Sequence, residues 1–305
     1  MERIKDLVRA ELAQPVDPQV IALAAAIAKA HGAASRAVLF YGSCLRESQL
    51  DGLMLDFYLI VSDYRAAYDR RWLAVANRLI PPNVFPFETG GLTAKYAVLS
   101  EADFNRLNGP ETRNVSVWAR FAQPSRLVWT SDLAAAERAV TAVSRAAPAL
   151  LSAARSELPD TIETLDLWRS AFALTYSAEL RAERKARAAS VVDMDPERYA
   201  RFSGPAIEAA GIGRVDGDQA VLFPVKHRIG DARGGWARRR IEGKALTVVR
   251  LAKASATFAG GVDYIAWKIN RHAGTQITIK PWQRRWPLLA AISLVPKLLR
   301  SGAVR

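Results

Sequence analysis

Two short segments of the chain carry residues that can hold a polyphosphate and a metal ion. In Phe40-Tyr41-Gly42-Ser43 a buried strand enters a tight Gly-Ser turn. Glycine lets the backbone approach a phosphate closely, and the amide N–H groups of a turn that enters a helix can bind the anion. The second segment, Met54 to Val61, is typical of another strand and carries one carboxylate, Asp56. Because a carboxylate can hold the divalent metal that bridges the phosphates, the pair predicts a site for nucleotidyl transfer.

The same segments admit a plainer interpretation, in which Gly42-Ser43 is an ordinary turn and Asp56 is an edge-strand carboxylate. Nucleotidyltransferases usually carry two carboxylates, two positions apart on one strand face. Here Tyr58 stands at the second position, and a phenol is a poor ligand for a hard cation. Asp63 and Glu88 are further candidate metal ligands. The residues alone therefore leave both interpretations open.

Lys95 is a third candidate, because it lies in the middle of a predicted strand at residues 92–99. An ammonium group inside a core needs a charged or polar partner. A bound triphosphate would supply that partner, and exposure to solvent at a sheet edge would remove the need for one.

The composition excludes several classes of site. The chain has 305 residues, enough for two domains, and half of them are hydrophobic, which is typical of a globular protein. The single cysteine, Cys44, excludes an internal disulfide and a cysteine-cluster zinc site. No apolar run reaches the length of a membrane span. The first residues include Glu2, Asp6 and Glu11, which disfavours a signal or transit peptide, so we expect a cytoplasmic location.

The positive charge is concentrated at the carboxyl end of the chain. Of the net charge of +13, residues 231–305 contribute +12, from 15 basic and 3 acidic residues. The same segment holds four of the eight tryptophans: Trp236, Trp267, Trp282 and Trp286. Basic residues mixed with tryptophan favour an anionic membrane surface as the partner. Nucleic acid and a simple solvated basic face are less favoured alternatives.

Hydrophobic periodicity predicts an α+β protein with three parts. The first, 1–131, contains helices and strands in alternation; the predicted helices are 3–12, 18–31, 64–79 and 100–107, and the predicted strands are 37–41, 54–61, 92–99 and 126–129. The second, 132–230, is mostly helical and ends in a hairpin at 213–223, which suggests a winged-helix-like domain. The third, 231–305, is a basic tail. We expect a loop or linker at 225–243 and helix at 244–271.

Five blocks of the sequence occur in a set order: Tyr41-Gly42-Ser43, Met54-Leu55-Asp56-Phe57, Lys95 to Ser100, Ala119 to Pro124, and Leu174 to Arg181. In order and approximate spacing they resemble the motifs of the mitochondrial translocator assembly and maintenance proteins. A later stretch, Phe258-Ala259-Gly260 followed by Lys268, resembles the family's C-terminal helical region, so the resemblance runs from residue 36 to residue 273. Members of that family are soluble-fold CDP-diacylglycerol synthases, and a lone aspartate before phenylalanine is their own form of the metal strand.

The resemblance implies a nucleotidyltransferase-fold domain that transfers the cytidylyl group of CTP to phosphatidate, releasing pyrophosphate. It implies that Asp56 holds Mg²⁺ and that Asp56 and Lys95 are catalytic. It also implies a set of nucleotide-binding residues: Tyr41, Gly42, Ser43, Arg120, Tyr176 and Arg181. A lipid acceptor implies a peripheral position on the inner face of the cell membrane, and the absence of an expected transit segment fits a bacterial-type relative.

The chain departs from the family pattern at three places. Cys44 replaces the second glycine of the turn, Ala67-Tyr68 stands where the family has Trp-His, and Glu179 stands where it usually has aspartate. Two other functions remain open. One is a nucleotidyltransferase that acts on RNA or protein, with the basic tail holding nucleic acid. The other is a non-catalytic nucleotide-binding relative, for which Cys44, Tyr58 and Tyr68 are the motivation. Base preference, lipid head group and oligomeric state are likewise open at this point.

Overall fold

The computed structural model describes residues 1–46, 50, 52–179, 191–224, 229–257 and 279–281. The strands are β1 (Ser35–Tyr41), β2 (Met54–Val61), β3 (Asn83–Thr89), β4 (Leu92–Ser100), β5 (Ser125–Thr130), β6 (Thr161–Glu163), β7 (Gly213–Asp216) and β8 (Gln219–Leu222). The helices are α1 (Glu2–Leu12), α2 (Pro18–Ala30), α3 (Tyr64–Ala67), α4 (Arg71–Leu79), α5 (Glu101–Leu107), α6 (Trp118–Phe121), α7 (Leu133–Ser144), α8 (Ala146–Ala154), α9 (Thr164–Ala178), α10 (Pro196–Ala210) and α11 (Ile229–Thr257).

The protein is α+β, as predicted, and its larger sheet is mixed. Five strands lie in the order β3-β4-β2-β1-β5, with β2 and β4 parallel and the other neighbours antiparallel. The register pairs Asp56 with Tyr41 on β1 and with Lys95 on β4. Paired residues on adjacent strands project from the same face of a sheet. The side chains of Tyr41, Asp56 and Lys95 therefore share one face, at the end of the sheet where β2 begins.

The two faces of this sheet belong to two hydrophobic clusters. Phe40 and Phe57 project to the first face, where they pack in the same cluster as Leu23 and Ile27 of α2. Leu39 and Tyr58, one position along each strand, project to the second face. The alternation follows from the two-residue period of a strand. It places Asp56 on the second face, which the later helices cover.

Helices on both sides of the expected boundary at residue 131 contribute to that second cluster. It joins Tyr58 of the sheet to Trp168 of α9, Tyr199 and Phe202 of α10, and Trp236 of α11. A small antiparallel sheet of order β6-β8-β7 flanks these helices and contains the predicted hairpin at 213–223. The division into domains 1–131 and 132–230 stays a prediction.

The expectation of a loop or linker at 225–243 is wrong from residue 229 onward, because α11 begins there. The glycines and basic residues of this segment weaken its local helical pattern, and the helix forms by packing on α9 and β3. Trp236 is buried and donates its indole N–H to Ala153 O at 2.8 Å. It is therefore not one of the exposed tail tryptophans that we expected at a membrane surface.

Two elements of the fold, β3 and α10, were not predicted from the sequence. Strand β3 carries Pro86, which disfavours a strand assignment, and it forms at the edge of the sheet, where proline is tolerated. Helix α10 runs through Pro205, which disfavours helix, and was not predicted. The tail beyond residue 257, including Trp267, Trp282 and Trp286, lies outside the described residues apart from 279–281. Across the described part of the chain, no helix combines the length and hydropathy that a membrane span requires.

Candidate functional site

The Gly-Ser turn closes directly on the carboxylate of β2. Gly42 follows the last residue of β1 with a φ of +96°, a conformation that favours glycine. A Cβ atom added at Gly42 would lie 3.4 Å from Asp56 Oδ2. Ser43 is exposed and begins a short 3-10 turn that ends at Arg46, in place of the expected α-helix. The structure thus brings Gly42, Ser43 and Asp56 together at one end of the sheet.

Lys95 lies beside the same carboxylate. Its Nζ is 2.9 Å from Asp56 Oδ1, and each side chain is 24 % exposed. Asp56 Oδ1 is shielded from solvent, so the ammonium group is its ionic partner. The parallel pairing of β2 and β4 causes this contact, because it sets the two residues directly side by side. Lys95 is therefore positioned to neutralise Asp56 as well as to contact a phosphate.

The residues around Asp56 fit a Mg²⁺ ion that arrives with a polyphosphate. Among the described residues, no group of three or more histidines, cysteines and carboxylates could hold a metal by itself. Mg²⁺ is usually bound by one or two carboxylates together with substrate phosphates and water. Asp56 Oδ2, which faces the Gly42 turn, would supply one such ligand. The phosphates would have to supply the rest.

The two additional candidate ligands do not complete a protein-held metal site. Asp63 lies beyond the opposite end of β2, where its carboxylate accepts hydrogen bonds from Arg65 N and Ala66 N at 2.8 and 3.0 Å. It is the N-cap of α3. Glu88 is exposed on the edge strand β3, and its backbone partner is Thr93 rather than Lys95.

An aromatic and cationic group adjoins Asp56 on the same face of the sheet. The rings of Tyr41 and Tyr58 lie 5.2 Å apart, and the ring of Phe121 lies 5.1 Å from that of Tyr58. Arg120 of α6 donates a hydrogen bond to Ser116 O and lies 3.7 Å from Glu179. Its charge also acts on Tyr41 and Tyr58, so Arg120 lies beside this aromatic pair.

The surroundings of this group keep Arg120 charged and keep Tyr41 and Tyr58 neutral. Burial alone lowers the pKa of Arg120, but the nearby Tyr58, Glu179, Tyr41 and Asp56 outweigh it, and its pKa is raised. Burial raises the pKa of both Tyr41 and Tyr58, and the charge of Asp56 adds to the effect. At neutral pH the tyrosines are therefore neutral hydrogen-bond donors beside a permanent cation.

Helix α11 brings two further basic side chains, Arg250 and Lys253, to the chain segment after α4, and neither was predicted as a site residue. Arg250 donates to Ser116 Oγ at 2.6 Å and, through Nε and Nη2, to Pro81 O at 2.8 and 2.5 Å. Lys253 donates to Pro82 O at 2.8 Å and also to Ile80 O. Burial lowers the pKa of Arg250 to about 10, and burial with the neighbouring Arg250 charge lowers that of Lys253 to about 7.

Arg120 and Arg250 meet at Ser116, which accepts from one through its carbonyl and from the other through its hydroxyl. The charge of Arg250 also interacts with Tyr58 and Glu179. This face thus carries Lys95, Arg120 and Arg250 close to the carboxylates of Asp56 and Glu179. Such a concentration favours an anionic ligand, because focused positive charge raises its local concentration. No local signal in the sequence distinguishes Arg250 from the other basic residues of its helix.

The remaining predicted residues have separate positions. Tyr176 of α9 is partly buried against the hydrophobic cluster on the Asp56 side of the sheet. Arg181 lies outside the described residues. Glu179, which departs from the family pattern, is buried and is the ionic neighbour of Arg120.

The other two departures point away from the site. Cys44 is buried in the cluster on the opposite face of the sheet, and its Sγ is 3.6 Å from Met54 O. Tyr68 belongs to that same cluster, where its hydroxyl accepts a hydrogen bond from Asn77 at 3.1 Å. The bulk of the Cys44 side chain therefore does not enter the space between the turn and Asp56.

Comparison with known proteins finds no family model that matches this chain. It also finds no significant match among curated proteins.

Substituting Gly42 with alanine tests the turn. The positive φ strains any L-residue, and the new methyl group would contact Asp56 Oδ2, so we expect weaker binding of Mg²⁺–CTP and a loss of stability of about 1 kcal/mol. Calorimetric titration and urea unfolding measure the two effects. Gly217→Ala is the matched control, because Gly217 has a φ of +61° with no neighbouring atom within 4 Å. Equal nucleotide affinity in both variants would show that the Gly42 turn does not contribute to nucleotide binding.

Proposed function

We propose that the protein is a Mg²⁺-dependent nucleotidyltransferase that transfers the cytidylyl group of CTP to phosphatidate. The observation that carries the nucleotidyltransferase assignment is the closure of the Gly42 turn on Asp56, with Lys95 beside the carboxylate. The choice of CTP and phosphatidate is supported by the resemblance of the five sequence blocks. The concentration of Lys95, Arg120 and Arg250 on this face supports an anionic substrate.

The architecture supports the same proposal. A mixed sheet in which a strand, a glycine turn and a carboxylate-bearing strand follow one another suits a nucleotidyltransferase domain. Helices α9 and α10 with the β7–β8 hairpin suit a winged-helix-like second domain. We propose both assignments on these grounds.

In the proposed reaction, a phosphate oxygen of phosphatidate attacks the α-phosphorus of CTP. The bond from that phosphorus to the bridging oxygen breaks, and pyrophosphate leaves. The turn and Lys95 position the triphosphate, while Arg120 and Arg250 offer guanidinium groups to phosphate oxygens. Mg²⁺, when bound by Asp56, would supply charge neutralisation at the phosphates. Because these donors are fixed before the substrate arrives, they stabilise developing charge without reorganising.

The acyl chains of phosphatidate keep the acceptor in a bilayer, so we propose that the protein acts at the inner face of the membrane. The basic residues beyond Thr257, together with Trp282 and Trp286, stay the predicted surface contact of the tail. Trp236 has no part in this contact, because it is buried between its own helix, α11, and α8.

Incubation with each of four α-labelled nucleoside triphosphates, Mg²⁺ and phosphatidate vesicles tests the proposal. We expect label from CTP in the extracted lipid, with release of pyrophosphate. Label in RNA or protein acceptors instead would favour the alternative, a nucleotidyltransferase that acts on RNA or protein. Failure of every nucleotide to label any acceptor would contradict the assignment as a transferase.

The ion pair between Asp56 and Lys95 favours one other candidate, a non-catalytic nucleotide-binding protein. The ammonium group already compensates the Asp56 carboxylate at the turn. Such a protein would bind CTP with similar affinity in the presence and absence of Mg²⁺. It would show no turnover in the labelling experiment.

Replacing Arg250 with glutamine tests the contribution of α11 to the site. Loss of one charge-assisted contact to a phosphate is worth about 1.4 kcal/mol, so we expect affinity for the anionic substrates to fall about tenfold. Arg238→Gln is the matched control on the same helix, because Arg238 is exposed and paired with Glu242 at 2.7 Å. If titration shows the same affinity for both variants, Arg250 only anchors the helix.

A further inference from the structure

Helix α4 turns its apolar side to solvent. Trp72, Val75 and Leu79 are 46, 56 and 74 % exposed. Their spacing of three and then four residues places them along one face of the helix. The buried residues of α4 are Ala74 and Asn77, and Leu73 packs partly buried against the same side. The three exposed apolar side chains lie on the other side of the helix, where a globular protein usually places polar residues.

Hydrogen bonds hold α4 on the protein without using this apolar stripe. Asn77 Nδ2 donates to Val98 O at 2.9 Å, and Asn77 Oδ1 accepts from Asn83 N. Asn83 Nδ2 in turn donates to Leu73 O at 3.0 Å. The stripe of Trp72, Val75 and Leu79 is therefore presented on a helix that is fixed to the sheet from its other side.

Basic residues border the stripe. Arg65, Arg70, Arg71 and Arg78 are all exposed, and Asp69 is the single acidic residue between positions 64 and 79. This stretch therefore has a net charge of +3. A tryptophan beside aliphatic residues and a row of arginines suits the headgroup region of an anionic bilayer. A protein partner would need an acidic rim for the same arginines, whereas anionic lipids supply that charge everywhere.

The stripe is also close to the element that completes the candidate site. The chain leaves α4 at Leu79 and passes directly into Ile80 and Pro81, whose carbonyl groups accept hydrogen bonds from Lys253 and Arg250. A bilayer in contact with α4 would therefore lie near the cationic end of α11.

We propose that the exposed face of α4 is a membrane-docking surface. Trp72, Val75 and Leu79 enter the boundary between headgroups and acyl chains, and Arg71 and Arg78 contact lipid phosphates. The surface is separate from the nucleotide site, so it holds whether or not the protein transfers nucleotides. It is also separate from the predicted contact of the tail.

Sedimentation of the full-length protein with vesicles that contain phosphatidylglycerol tests the proposal. We expect the variant with Trp72→Gln, Val75→Gln and Leu79→Gln to bind the vesicles at least about tenfold more weakly, since three apolar side chains no longer transfer from water into the bilayer. The matched control is Leu133→Gln, which removes a leucine that is 89 % exposed on α7. It should bind as the unchanged protein does. Arg71→Gln with Arg78→Gln should weaken binding to anionic vesicles and reduce its salt dependence.

A second measurement separates α4 from any contact that the tail makes. Vesicles with brominated acyl chains quench tryptophans at the bilayer, and we expect part of this quenching to disappear in Trp72→Phe. Quenching that is the same with and without Trp72 overturns the proposal, even if the protein binds vesicles. A concentration-dependent oligomer that the triple variant lacks also overturns it, because the stripe would then be covered by a second copy of the chain.

Discussion

Substitution of Asp56 by asparagine is expected to reduce CDP-lipid formation by about a thousandfold. The change preserves the size of the side chain and removes the charge that Mg²⁺ needs, and a loss of several kcal/mol of transition-state stabilisation corresponds to such a factor. Since the carboxylate is an ionic partner of Lys95, the same substitution also removes this ion pair beside the turn. Turnover with each labelled nucleotide and phosphatidate vesicles measures the effect.

Asp63→Asn is the matched control for this experiment. Asp63 is exposed beyond the other end of β2 and caps α3, and asparagine is an equally good N-cap. We expect its activity to be close to that of the unchanged protein. A folded Asp56→Asn protein with near-normal turnover would place the metal ligand elsewhere and contradict the proposed mechanism.

Replacing Glu11 with glutamine is expected to destabilise the fold by about 3 kcal/mol. Glu11 of α1 and Arg198 of α10 form a buried ion pair, in which Arg198 Nη2 donates to Glu11 Oε1 at 3.0 Å. Arg198 also donates to Ala122 O at 3.0 Å, so the pair joins α1, α10 and the end of α6. Removing one partner leaves a buried charge without compensation, which typically costs about 3–5 kcal/mol of stability. Urea unfolding followed by circular dichroism measures the free energy.

A second ion pair between the same helices provides the control. Arg3 and Glu208 lie 3.1 Å apart and are exposed. Glu208→Gln should leave the free energy of unfolding nearly unchanged, because solvent screens an exposed pair. The double variant Glu11→Leu with Arg198→Met should recover much of the loss, since it leaves no unpaired charge. Equal destabilisation by Glu11→Gln and Glu208→Gln would show that burial does not set the strength of this contact.

Local patterns in the sequence are sufficient for the centre of the sheet. Strands β1, β2 and β4 and the hairpin at 213–223 form where they were predicted, because short apolar runs bounded by turn residues are typical of buried strands. The sequence also predicts that Gly42 and Asp56 lie near each other. Gly42 directly follows β1 and Asp56 lies near the start of β2, the next strand along the chain.

The partners of those residues depend on contacts between distant parts of the chain. The pairing of Asp56 with Lys95 follows from the parallel register of β2 and β4, which no periodicity encodes. Arg250 reaches Ser116 only because α11 packs across α9 and β3, although its own segment has a weak helical pattern. The buried pair of Glu11 and Arg198 joins helices that lie far apart in sequence.

Helix α4 shows the same division most clearly. The sequence predicts one helix over 64–79, and the structure forms two, α3 (Tyr64–Ala67) and α4 (Arg71–Leu79). Tertiary contacts set which side of α4 faces the sheet, because Asn77 finds hydrogen-bond partners on Val98 and Asn83 that only the folded sheet provides. The sequence thus determined that a helix forms, and the packing of the sheet edge decided which side of it meets the solvent.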